Sequence, residues 1–398
     1  MPRLVHESLL QQFERSNVNG DKKPKGKPLA RMLSRRCDDT AHRLRATEPG
    51  PKLKQEEYHM PISITRRTAI LGSMGAFLLS AVDRTFAAGP TSLKIALILE
   101  SRTDIGWTRT LLDSLEQVKQ ARPDGLDISW EYTDPLWNDD AENAMRFYAE
   151  GGEYDIIWAH GRYSDQVKKL SAEFPDIMFV VTGSGNLPLG ANQYWLYKRL
   201  HEPSYLLGML AGRTTKSGVI GLVGTFAADD VNDQINAFLD GAKSVRPDVK
   251  HRVSFIGSWS DNALAAEHAN VQIASGADVV FMLTDNFKPC QEHRIMCFAN
   301  INDQSKLAPD AIASSAIIDW QPDIKWIISE WLKHKAGGQY NGNTEPKWFS
   351  MSQGGVDIAP YHDFDAKLPV AVKEELAATR QKIISGEFVV PLNTAEVK

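Results

Sequence analysis

The chain has 398 residues, 42% hydrophobic and 24% charged, with a formal net charge of -5 and Trp 10. That length accommodates two ordinary domains with cores, and the weakly acidic balance gives no reason to expect nucleic acid or an anionic membrane surface as partner. Three cysteines, with no C-x-x-C pair, argue against a disulfide scaffold and a structural zinc site, and leave open whether Cys290 and Cys297 pair.

Residues 1–59 lack sustained periodicity, carry a basic run, DKKPKGKPLARMLSRR, and offer little to bury; they read as a disordered or mis-annotated extension. From Met60 the chain reads MPISITRRTAILGSMGAFLLSAVDRTFAAG. Arg66 and Arg67, an apolar stretch over 69–82 and small residues at Ala87 and Ala88 give the layout of a twin-arginine export signal over 60–88. The apolar stretch falls short of the roughly 20 residues that a membrane span needs. Signals act from a free N-terminus, so translation is expected to begin at Met60. No cysteine stands at the cleavage site, so no lipid anchor is expected.

The stretch 94–115, KIALILESRTDIGWTRTLLDSL, reads as strand, polar loop and helix, with Leu111, Leu112, Leu115 and Val118 on one helical face. Strands are then predicted over 126–132, 154–159, 177–182 and 193–197, with helices over 140–150 and 165–173. A second series starts with a helix over 204–214. Strands follow at 218–223, 253–256, 278–283, 296–299 and 312–318, with helices at 230–245, 263–275, after Pro289 and at 323–335, and a final strand and helix. The pattern predicts two doubly wound α/β lobes in tandem, forming a hinged clamp around a crevice.

In open α/β sheets ligands lie beyond the carboxyl ends of the strands, which directs attention to the residues there. In the first series these are Asp104, Trp107, His160, Gly161, Tyr163 and Asp165; in the second they are Phe226, Trp259, Asp285, Asn286 and Trp320. Trp107, Trp259 and Trp320 read as loop residues available for stacking, whereas Trp158, Trp195, Trp326 and Trp331 read as core. Asp165 and Asp261 stand at helix starts and read as N-caps, and His160 reads as a structural hydrogen-bonding residue.

The runs DIGWT, EFPDIMFVVTGSG, YLLGMLAGRTTKSGVIGLVGTF, VNDQINAFLDGAKSV, GSWSDNALAAEHANVQIASGADVVFMLTDN, IIDWQPDIKWI and GGVDIAPY resemble, in this order, the basic membrane protein family of periplasmic substrate-binding proteins. These serve ATP-driven importers and include the purine nucleoside receptors. The resemblance covers 92–390. It implies a type I periplasmic binding fold, with two Rossmann-like lobes joined by a hinge: 90–200 plus about 320–345, and 201–319 plus about 346–398. It also implies a purine base or nucleoside as solute, ABC permease and ATPase subunits as partners, a soluble periplasmic monomer, no cofactor and no catalysis. Residue by residue, Asp104 would accept hydrogen bonds and Trp107 would stack, faced by Phe226 or Trp259. Asn236 and Asp285 would supply polar contacts, Asp303 stands where the family has a ligand-facing aspartate, and Tyr163, Asn286 and Trp320 complete the candidate set. The nucleoside receptors carry an acidic residue where this chain has Ile301, and a lysine near Ile318 and Asp319. Those groups help hold a ribose, so a free base or another small aromatic fits the resemblance at least as well. A sugar-binding or sensory module of the same fold is the alternative. An enzyme is disfavoured, because no G-x-S-x-G elbow, P-loop or H-E-x-x-H motif occurs.

Overall fold

The apolar runs become two sheets flanked by helices in a computed structural model that describes residues 89–397. The predicted signal at 60–88, the extension at 1–59 and Cys37 lie outside the described residues. The first sheet contains β1 (Ser92–Leu99), β2 (Asp127–Tyr132), β3 (Ile156–His160), β4 (Met178–Thr182) and β5 (Gln193–Leu196), all parallel, in the order β2-β1-β3-β4-β5. Every residue of β3 and β4 is buried, because helices cover both faces, and the polar residues that end these strands, His160 and Thr182, bond to each other. Alternate residues of β1 feed opposite layers: Leu97 and Leu99 join Leu111, Leu115 and Val118, whereas Ala96 and Ile98 join Met145, Tyr148 and Leu170. The helices that supply these partners are α1 (Gly106–Ala121), α2 (Asn138–Gly151) and α3 (Ser164–Ser171).

The second sheet contains β6 (Val219–Gly224), β7 (Lys250–Phe255), β8 (Val279–Met282), β9 (Met296–Ile301), β10 (Ile312–Ile318) and β11 (Val356–Ile358). Its order is β11-β10-β9-β8-β6-β7, parallel except for β11, which closes the edge antiparallel to β10. The remaining helices are α4 (His201–Thr214), α5 (Asp229–Val245), α6 (Asn262–Ala274), α7 (Lys288–His293), α8 (Gln321–Lys335) and α9 (Val370–Ser385). Helices α4 and α5 cross backbone to backbone. A Cβ on Gly208 would stand 1.9 Å from the Phe238 carbonyl oxygen, and one on Gly241 would stand 2.0 Å from that of Tyr205. No side chain fits at either position.

The chain passes between the sheets at 197–200, at 319–320 and again between α8 and β11. Helix α8 returns to pack on α1, and the returning segment runs beside β5, where Leu196 pairs with Lys347. Asp261 caps α6 as expected, accepting from the N–H groups of Ala263 and Leu264 at 3.1 and 3.0 Å. Asp165 does not cap α3. It lies inside the first turn, and Tyr163 occupies the N-cap position. Helix α4 begins at His201, earlier than predicted, because Pro203 falls in its first turn, where a missing N–H is tolerated. Cys290 and Cys297 are free thiols buried in the second lobe. Among the described residues no helix is long and apolar enough to cross a membrane.

Candidate functional site

The carboxyl ends of the two sheets face each other. Gly106, at the start of α1, lies against the loop after β9, where an added Cβ would stand 2.8 Å from Asn302 Oδ1. Ser184, after β4, faces Asp230 in the first turn of α5 and works to lower its pKa, against the burial that raises it to about 6. Tyr197 Oη donates to Asp229 at 2.6 Å, and Arg199 donates to Asp233 at 2.9 Å and to Asp229 at 3.3 Å. Residues that follow β4 and β5 thus meet the helix that follows β6.

An aromatic cluster occupies the first lobe's side of this junction. The half-buried Trp107 ring stacks on His160 with centroids 5.0 Å apart and planes 12° apart, and meets Trp320 edge-on at 5.1 Å. One face of the indole is therefore already covered, and a ligand would use the other. His160 is fully buried; Nε2 lies 3.2 Å from the Trp107 carbonyl oxygen and Nδ1 2.9 Å from Thr182 Oγ1. It is the structural hydrogen-bonding residue that its position suggested. Trp320 departs from expectation. It is 0% exposed, not a free loop residue, because Trp107, His160 and Trp158 all pack edge-on around it.

On the second lobe's side, Phe226 and Trp259 tilt against each other at 4.9 Å. Trp259 remains 54% exposed at the end of β7, an indole in water with a large apolar face uncovered. Asp285 is exposed and accepts from Gln304 Nε2 at 2.9 Å. Asp303 accepts from the Ser305 N–H at 3.1 Å and pairs with His362 at 2.7 Å; desolvation opposes its charge, but the bonds from Ser305 and His362 hold its pKa down. Asp104 is exposed and held in a two-pronged pair by Arg102, at 2.9 and 2.6 Å.

Three further candidates have their polar groups engaged within their own lobes. Tyr163 is buried and donates its hydroxyl to the Leu136 carbonyl at 2.7 Å. Asn286 donates to the Asn262 carbonyl at 2.6 Å and accepts from the Lys288 N–H. Asn236 donates to the carbonyls of Asn393 and Ala395, tying the C-terminal segment to α5.

Two features had no local signal. Ile301 has φ 72, and the N–H of Asn302 bonds back to the Asn300 carbonyl at 2.9 Å, a tight turn about a β-branched residue. Such a conformation costs about 1–3 kcal/mol and tends to occur at functional sites. Lys198 and Asp323 form a buried ion pair, with side chains 2% and 0% exposed. Burial pushes Lys198 down and Asp323 up to about 6, each opposed by the partner's charge. Among the described residues no group of His, Cys, Asp and Glu is arranged to hold a metal ion.

His160 gives the junction an acid-sensitive element. Burial drives its pKa down to about 3, so below the ordinary value of 6.5 the unfolded chain takes up a proton that the folded chain refuses. Stability from this residue is intact above pH 6.5 and is lost as pH falls toward 3, at up to about 1.4 kcal/mol per pH unit. The expected result is that the stability advantage of wild type over His160→Gln shrinks on acidification. Parallel denaturant titrations at neutral pH and near pH 4.5 measure it, and a constant difference would refute the assignment of a neutral ring.

Residues 93–394 match the family described as ABC transporter substrate-binding protein PnrA-like. A purine-binding protein of Brucella abortus is 26% identical over 324 residues, covering 80% of this chain and 87% of that protein. An ABC transporter protein of Haloferax volcanii, named for glucose binding, is 25% identical over 331 residues, covering 81% of this chain and 80% of its own. A solute-binding protein of Conexibacter woesei superposes with TM-score 0.59 at 18% identity, covering 75% of this chain and 98% of that one. The fold is the type I periplasmic binding fold.

Proposed function

We propose a function from one premise: the chain belongs to the PnrA-like family of ABC transporter substrate-binding proteins. It captures a purine base, a nucleoside or a similar small heteroaromatic between its lobes, and hands it to a membrane permease driven by an ATPase. The lobes are 90–200 plus about 320–345 and 201–319 plus about 346–398, and closure about the segments that join them encloses the solute. The protein works as a monomer outside the cytoplasm, exported through the segment at 60–88 without a lipid anchor, and performs no catalysis.

The observation that carries this reading is the half-buried Trp107 ring, backed by a neutral imidazole and lying where the sheets' carboxyl ends meet. A flat heteroaromatic has an apolar face that an indole covers and an edge that needs donors and acceptors. Phe226 and Trp259 offer a second aromatic surface, and Asp104, Asp285 and Asp303 offer acceptors. The purine-binding protein of Brucella abortus supports the solute class. Differential affinity for the closed state is what drives closure, by a few kcal/mol in typical two-state proteins.

The glucose-binding name of the Haloferax volcanii relative gives a sugar specific support as the second reading. A thermal-shift screen of the purified protein against purine bases, nucleosides, sugars and amino acids separates the two. A solute at 100 times its dissociation constant adds about 2.7 kcal/mol to stability. Stabilisation by adenine, hypoxanthine or a nucleoside is the expected outcome. A response to sugars with none to purines would transfer the assignment to the second reading.

A further inference from the structure

Lys198 is a buried cation at a junction of the chain. It lies on the segment that first passes between the lobes, and its partner Asp323 lies in the first turn of α8, just past the second passage. Its ammonium also donates to the Asp319 carbonyl at 2.8 Å and stands 4.5 Å from the centre of the Trp320 ring. Trp320 is anchored in turn to α1: its Nε1 donates to Thr110 Oγ1 and its backbone N–H to Ser114 Oγ, each at 3.2 Å. Helix α1 carries Trp107 in its first turn, and that ring meets Trp320 edge-on at 5.1 Å.

Stability does not account for this arrangement, because a buried ion pair gains little over an apolar pair of similar volume. Directionality does. An ammonium has three donors and is drawn to a ring face, so it can hold a carboxylate, a carbonyl and an indole in fixed relation, which a methyl group cannot do. We infer that Lys198 is a positioning residue for solute binding: it clasps the two passing segments together and, through Trp320, fixes the attitude of the Trp107 ring. The inference rests on the reading of the junction as a solute site.

The test compares the full chain with two variants, the double substitution Lys198→Met with Asp323→Leu, and Ser114→Ala, which unties the 319–320 passage from α1 and leaves the Thr110 bond to the Trp107 carbonyl in place. Adenine binding is followed by calorimetry, and the solute-free proteins by amide hydrogen exchange over 106–111 and tryptophan emission. The double variant is expected to keep its thermal midpoint, to exchange faster over 106–111, to show shifted emission, and to bind adenine about tenfold more weakly, as a loosened support shell predicts. Ser114→Ala is expected to speed the same exchange. Wild-type exchange and emission in both variants would overturn the inference, as would undiminished adenine affinity in a folded double variant. If the double variant does not fold, Ser114→Ala decides alone. If wild type fails to bind adenine, that result counts against the purine reading, while exchange and emission still decide the role of Lys198.

Discussion

Asp323→Ala is expected to lower the free energy of unfolding by about 3–5 kcal/mol, the usual consequence of leaving a buried charge without its partner. Lys198 is too deeply enclosed to reach water, and the Asp319 carbonyl alone does not neutralise it. In the variant its most favourable response is to lose its proton. The unfolded chain then binds a proton that the folded chain does not, so the deficit should shrink as pH rises from neutrality toward the ordinary lysine value near 10.4. Denaturant titrations at two pH values would show this. A loss under 1 kcal/mol, or one that grows with pH, would mean that the pair is not ionised in the folded state. Replacing both partners by apolar residues should restore most of the stability, because no charge is then left alone.

Trp107→Ala is expected to weaken solute binding by about 1–3 kcal/mol, a rise in Kd of about 5- to 150-fold, with a small effect on the thermal midpoint. The ring is half-buried, so truncation removes limited core contact, whereas a stacked solute would lose its largest apolar partner. Trp107→Phe should retain much of the affinity. Calorimetry with the solute identified in the screen measures both variants. Unchanged affinity in Trp107→Ala would move the stacking surface to Phe226 and Trp259.

Most of the fold could be read from the residues, because strands covered on both faces become apolar runs such as 178–181, and helices such as α1 show their buried stripe at the right spacing. The motif order pointed to the family that the match over 93–394 establishes. The site was less legible, and the reason is range. Trp320 looked like a loop residue because nothing within its neighbourhood announces that Trp107, His160 and Trp158 will surround it. Asn236 looked polar and available because its partners lie 157 and 159 residues away. Lys198 carried no signal at all, since a lysine beside an arginine ordinarily belongs to the surface. Local periodicity reports which face of an element is buried. It does not report which distant side chain completes the cover.

The return of α8 to α1 also bears on how the molecule is made. The Trp320 N–H bonds to Ser114 Oγ across 206 positions of chain, and most of the second sheet lies between them. A ribosome delivers the early residues long before the helix that covers them, so a half-synthesised chain holds an apolar surface with no mate. The edge of β10 likewise waits for Val356–Ile358. Closing such long loops is slow, and neither half can finish early. The two halves are thus obliged to mature together, as one cooperative event near the end of translation or after it.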